Sequence, residues 1–204
     1  MGFKERLTKE WLFWDGGTGS VLQSWGLQAG ELPETWNINH PEKIVELNKG
    51  YLEAGCDIIN TNTFGANRLK YPDNLEEIVT KAVEHAKKAR ELTGRGDALI
   101  ALDLGPTGKL LEPLGDLSFD DAVDIYAEVI EYGTKAGADV ILIETMQDSY
   151  ELKAAVLAAK EHSHLPVCAT VVFDEKGKML TGGTPESVVA VLEGLHIDAL
   201  GINC

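Results

Sequence analysis

Five short stretches of this 204-residue chain carry polar groups where apolar runs end: Asp15–Gly16–Gly17, the Asn60 to Gly65 segment NTNTFG, Asp103, Glu144–Thr145 and Asn203–Cys204. Glu144 follows DVILI directly, so its carboxylate emerges from a buried run. An unanswered charge there is costly, which predicts either a ligand bearing an ammonium group or a structural Arg or Lys. Asp15 before two glycines reads as a turn former or as a binding group. Asp103 either caps its loop through backbone N–H groups or joins Glu144 as an acid–base pair. Cys204 is an inert thiol or, as a thiolate, a metal ligand.

The remaining reactive residues are less pointed. Cys168 lies inside an apolar run and reads as core; Cys56 precedes its run, on the opposite side from the polar ends. His40 sits in a long loop and stays a weak candidate, and the HSH at 162–164 reads as a solvated loop rather than a metal site. No serine stands in a G-x-S-x-G elbow and no lysine ends an apolar run as a Schiff-base lysine does.

The elements that must position these groups alternate along the chain. WLFWDGG (11–17), CDIINTNTF, ALIALDLGP, ADVILIETM, LPVCATVVF and DALGINC read as strands. Between them, PEKIVELNKGYLEAG opens with a proline suited to N1 and spaces Ile44, Leu47, Tyr51 and Leu52 helically. NLEEIVTKAVEHAKKARELTG is an amphipathic helix closed by Gly94. SFDDAVDIYAEVIEYGTKAG has a serine N-cap and an acidic first turn. DSYELKAAVLAAKEHS places Asp148 as cap with Glu151 completing a capping box. TPESVVAVLEGLH begins a further helix at Thr184–Pro185–Glu186.

The strands are near-continuous apolar runs, as in a parallel sheet covered on its faces. YLEAGCDII, GTKAGADVILIE and GLHIDALGIN are loosely self-similar, each passing from a helix end through an acidic residue into a strand. DGGTGS lacks the G-x-G-x-x-G spacing of a dinucleotide-binding turn. The expectation is α/β, a (β/α)₈ TIM-barrel type truncated to about six βα units, since closure takes eight. It is a single domain over 1–204, with C-terminal units missing. Its two outer strands are then unpaired edges, which predicts a homo-oligomer through those open sheet edges.

With 44% hydrophobic and 25% charged residues, the composition is that of an ordinary soluble domain. A net charge of −15, from 33 acidic and 18 basic residues, repels phosphate backbones and anionic headgroups, arguing against nucleic acid and membrane partners. No apolar run approaches membrane-spanning length, and the N-terminus lacks a signal peptide's apolar segment and cleavage site. Three widely spaced cysteines are no disulfide framework and fit a reducing cytoplasm.

Six motifs, DGGTGS, YLEAGCDIINTNTFGAN, DLGPTGKLLEPLG, IETMQDSYELKAAVLAAK, FDEKGKMLTGGTPES and DALGINC, together resemble the homocysteine S-methyltransferase family. The wording is most similar to the homocysteine-binding module at the N-terminus of cobalamin-dependent methionine synthases. The resemblance covers essentially the whole chain. It implies a zinc ion held by three cysteine thiolates, of which Cys204 in the G-[IV]-N-C motif is one. The other two belong to an adjacent Cys-Cys pair that this sequence does not contain, so the zinc site is incomplete. It further implies that Asp15, Gly16, Gly17, Asn62, Thr63 and Glu144 hold the amino-acid end of homocysteine, with Asn203 shaping the metal pocket. Zinc lowers the pKa of a bound thiol, so homocysteine would attack a methyl donor as a thiolate. Methylcobalamin supplied by another domain is the favoured donor, S-methylmethionine or a betaine the others. The chain alone is expected to be weak or inactive. The alternative expectation is a non-catalytic module for homocysteine, another amino acid or assembly.

Overall fold

The computed structural model describes residues 2–204. Five strands, β1 (Ile58–Asn60), β2 (Leu99–Leu104), β3 (Val140–Met146), β4 (Val167–Val171) and β5 (Ala199–Ile202), form one all-parallel sheet in sequence order. The main helices between and before them are α4 (Pro41–Glu53), α5 (Leu75–Thr93), α6 (Phe119–Ala136), α7 (Ser149–His162) and α8 (Pro185–Gly194). Short helices α1 (Phe3–Leu7), α2 (Thr18–Ser24) and α3 (Trp36–Asn39) occupy the N-terminal region. Sequential order with a helix in each crossover is the TIM-barrel arrangement. Here it is an arc whose outer strands are not joined to each other among the described residues.

The strand expected at 11–17 is reduced to a single parallel bridge, Trp14 to Ile58, supported by Asp15 N–H donating to the Ile58 carbonyl at 3.0 Å. It has no neighbour on its other side to pair a second backbone row, and Trp11 and Phe13 are exposed. β1 is likewise shorter than the run CDIINTNTF, because the chain turns at Thr61, where Thr63 N–H donates to the Thr61 carbonyl at 2.9 Å.

Side-chain parity sorts the sheet into two faces. Ile58, Leu99, Ala101, Val140, Leu142 and Cys168 point to the concave interior and pack with Phe3 of α1. Leu102, Leu104, Ile141, Ile143, Val167, Ala169 and Val171 face the helices. On β5 the outward residues are Leu200 and Ile202, both left exposed. Gly133 lets α6 lie close on β2, since a Cβ there would sit 2.5 Å from the Leu102 methyls.

The recurring acid before each self-similar strand has a common use. Asp57 accepts Phe13 N–H at 3.0 Å, Asp139 accepts Ile100 N–H at 2.9 Å, and Asp198 accepts Val167 N–H at 2.9 Å. Each carboxylate thus satisfies the first free donor of the preceding strand. α1 crosses the same end of the arc: Arg6 pairs with Asp57 at 2.9 Å, and Lys4 reaches Asp198 at 2.7 Å.

Helix ends follow local chemistry. Gly94 is left-handed at the end of α5, and the Ser118 hydroxyl accepts Asp121 N–H. Asp148 accepts Tyr150 N–H at 2.7 Å. The capping box expected from Glu151 does not form. Its carboxylate instead accepts Thr107 N–H at 2.7 Å, Thr107 Oγ1–H at 2.6 Å and Tyr126 O–H at 3.1 Å. Three donors from another loop and helix outcompete the single backbone N–H of Asp148. A capping box does form on α8, between Thr184 and Ser187. Among the described residues no helix is long and apolar enough to cross a membrane.

Candidate functional site

The C-terminal strand ends open onto a cavity of about 920 Å³. Its floor is the apolar interior, including Ile58, Leu142 and Cys168; its rim carries Asp15, Gly16, Gly17, Asp103, Glu144 and Asn203. Parity places them: Asp103 follows inward Ala101, and Glu144 follows inward Leu142, which lies two positions earlier on β3.

Asp15 is fastened through one oxygen only. Its Oδ2 accepts Asn60 N–H at 2.7 Å, while its Oδ1 is buried without a partner. Burial, with the nearby Glu144 charge, pushes the carboxyl up to about 7, against the opposing bond from Asn60. The two glycines after it permit close backbone approach. A Cβ on Gly16 would sit 3.1 Å from the Tyr51 hydroxyl, which donates to the Gly17 carbonyl at 3.2 Å.

Asp103 is buried, and its Oδ1 also lacks a partner. Burial first, then the charges of Glu144, Asp15 and Glu34, hold its carboxyl well above the usual range. Glu144 is raised by burial as well. The register of β3 against β4 slips between Ile143 and Met146, and Thr145 is left-handed at φ 60°. For a β-branched residue that conformation is strained. It turns Glu144 and Thr145 both toward the cavity, and Thr145 Oγ1 accepts Asn203 Nδ2–H at 2.8 Å.

Asn62 lines the cavity, but its Nδ2 is engaged with the Pro33 carbonyl at 2.9 Å and Asn37 Oδ1 at 3.0 Å. Thr63 is fully buried and lies behind the rim, its hydroxyl donating to the Asp103 carbonyl at 2.7 Å. These two residues build the rim more than they face into it. His40 packs against Trp36 with ring centroids 4.6 Å apart and is not part of the cavity.

Two contributors, Thr170 and Glu34, escaped sequence reading. Thr170 has a buried hydroxyl with no partner and lines the cavity. Its signal was present: it shares Cys168's parity on β4, one step nearer the C-terminal end. Glu34 accepts Gly65 N–H at 2.6 Å and Tyr71 O–H at 2.8 Å, anchoring the Asn60 to Gly65 segment. Phe64 covers Gly105, where a Cβ would meet the ring at 2.5 Å.

Among the described residues five buried side-chain polar atoms lack partners, and four of them belong to residues that line this one cavity: Asp15 Oδ1, Asp103 Oδ1, Thr170 Oγ1 and Asn203 Oδ1. Unpaired buried acceptors are rare in folded proteins, and these converge on a space that would take a ligand carrying donors. The carboxylates have no lysine or arginine among the cavity's lining residues.

The residues present do not make up a zinc site. Cys204 is exposed at the cavity mouth, Cys168 is pushed up to about 12 by burial and the Asp198 charge, and Cys56 does not line the cavity. No three His, Cys, Asp or Glu side chains among the described residues are gathered to hold a metal ion. Cys204 supplies at most one thiolate of a larger set.

An arc of TIM-barrel type with an acid-rimmed pocket at its strand ends defines a small-molecule-binding enzyme unit. The chain belongs to the homocysteine S-methyltransferase family, which matches residues 12–204. It is 31% identical over 208 residues to a methionine synthase of Mycobacterium tuberculosis (strain ATCC 25618 / H37Rv), covering 93% of this chain and 17% of that protein. The chain therefore spans less than a fifth of the length of that relative. The apo homocysteine methyltransferase MmuM from Escherichia coli superposes with a TM-score of 0.79 at 25% identity, over 97% of this chain and 74% of that one. Its metallated form superposes with a TM-score of 0.85 at 23% identity, over 97% and 76%, and shares the fold.

Proposed function

We propose that residues 1–204 act as one homocysteine-binding unit of an S-methyltransferase that forms methionine. The observation that carries this reading is the convergence of four unpartnered buried oxygens on one acid-rimmed cavity. An amino acid brings an ammonium group to the carboxylates of Asp15 and Glu144. Its thiol end then extends toward Asn203 and Cys204 at the same mouth. Gly16 and Gly17 line the same cavity and offer it their backbone.

In this reading the methyl donor, methylcobalamin in preference to a small molecule, is presented by another domain. Zinc activation of the thiol needs ligands beyond Cys204, so the chain alone binds substrate but turns it over weakly or not at all. Three free thiols support a reducing, cytoplasmic setting. The uncovered Trp11, Phe13, Leu200 and Ile202 support self-association through the sheet edges; a monomer by light scattering at micromolar concentration contradicts that part.

Calorimetric titration of homocysteine into Asp15→Asn and Glu144→Gln tests the binding claim. Each variant is expected to weaken affinity by about 10–100-fold, the worth of a hydrogen bond to a charged group. Unchanged affinity in both removes the assignment.

A non-catalytic binding module is the second reading, favoured by the absence of a complete metal-ligand set among the described residues. Homocysteine affinity in a larger polypeptide that rises with zinc speaks against it.

A further inference from the structure

Resting on the homocysteine-binding reading, we infer that Asp103 is a third acceptor of the ammonium subsite and fixes its specificity for a primary amine. Three observations lead there. Asp103 is 4% exposed, lines the cavity, and keeps Oδ1 without any partner. On β2 it stands two residues past Ala101, the register partner of Asn60, which holds Asp15, and directly opposite Leu142 on β3, two residues before Glu144. Its backbone is locked from both sides: Thr63 Oγ1–H donates to its carbonyl at 2.7 Å, and Thr61 Oγ1 accepts its N–H at 3.2 Å. A carboxyl group whose backbone is held this firmly, with one oxygen left unpartnered in a residue that lines the cavity, is built for a ligand rather than for a loop cap.

The stoichiometry of donors gives the specificity. A primary ammonium presents three N–H donors, and Asp15, Asp103 and Glu144 all line the one cavity, near enough for the charges of Glu144 and Asp15 to act on Asp103. Each N-methyl group removes a donor and adds bulk against oxygens that have no other partner. Leaving such an acceptor unpaired in a complex costs discrimination of the kind that hydrogen-bonding sites show against analogues lacking the group.

Binding to the 204-residue chain is measured by calorimetry for homocysteine and its N,N-dimethyl derivative, in the parent, Asp103→Asn and Asp103→Ala. The parent should prefer homocysteine by about 10–100-fold. The substitutions should lose about that factor for homocysteine but much less for the dimethyl derivative, a non-additive cycle. Melting temperatures of the ligand-free proteins accompany the titrations. A structural role for Asp103 lowers the melting temperature and scales both affinities alike, whereas the ligand role shrinks the preference itself. Parent-like preference in Asp103→Asn and Asp103→Ala, or equal losses for both ligands, overturns the inference. If Asp15→Asn and Glu144→Gln bind homocysteine as the parent does, the underlying reading fails instead.

Discussion

Asp15 Oδ2 accepts the Asn60 N–H at 2.7 Å, which joins the reduced first strand to β1 and leaves Oδ1 buried and unpaired in a residue that lines the cavity. The contact makes Asp15 a structural tie and, in the proposed function, a ligand group as well. With its carboxyl pushed up to about 7 by burial and Glu144, the charged form that attracts an ammonium fills in only near neutrality. Homocysteine affinity is predicted to strengthen between pH 6 and pH 8, by at most about tenfold per pH unit for one proton. Titrations in buffers of different ionisation enthalpy should show proton release on binding. Asp15→Asn should flatten this dependence.

The same raised carboxyls shape stability. An unfolded Asp titrates near ~3.9, while Asp15 in the fold holds its proton to about 7, and Asp103 and Glu144 are also raised. Between these values the native state binds protons that the unfolded state has released. Stability of the ligand-free protein is therefore predicted to fall as pH rises from about 4 to about 7, by roughly 1.4 kcal/mol per pH unit per proton. Denaturant midpoints at pH 5 and pH 8 check this; a higher midpoint at pH 8 contradicts it.

Glu151 is the hub that holds the loop after β2. Its Oε1 takes both donors of Thr107 and the Tyr126 hydroxyl, all buried. Replacing it by Leu leaves both Thr107 donors unpaired, while the Tyr126 hydroxyl keeps the Gly105 carbonyl at 3.1 Å, and should cost about 2–4 kcal/mol, read from urea unfolding. Burial and the Glu151 charge hold the Tyr126 phenol well above its usual range, so it remains a donor throughout the accessible pH range.

Gly133→Ala should cost about 1–3 kcal/mol through overpacking of α6 on β2. The added Cβ would lie 2.5 Å from the Leu102 methyls, and Leu102 is fully buried. Gly19→Ala on α2, with nothing within 4 Å, serves as control and should be close to neutral.

Much of this was legible in the sequence because local chemistry decided it. Ser118, Asp148, Gly94 and Thr184 mark helix ends through bonds to their own neighbours. β2 to β5 fall in the apolar runs, and Asp15, Asp103, Glu144 and Asn203 stand at strand ends where a barrel gathers its site. What was not legible depended on distant partners. The first strand shrank because it has a neighbour on one side only. Glu151 left its expected cap for donors 44 and 25 positions away. Asn62 and Thr63 were placed at the site, yet their polar groups are engaged by Asn37 and Asp103. Thr170 was hidden inside a run read as uniformly apolar, where only the inward parity of Cys168 distinguishes it.

The most direct test of the account compares homocysteine with its desamino analogue, 4-sulfanylbutanoic acid, in calorimetric titrations of the chain with a chelator present. The acid-rimmed cavity predicts saturable binding of homocysteine, and affinity for the analogue weaker by about 100-fold or more, because only homocysteine brings donors to Asp15 and Glu144. Equal affinities for the two ligands would contradict the account, since the carboxylates would then be reading nothing.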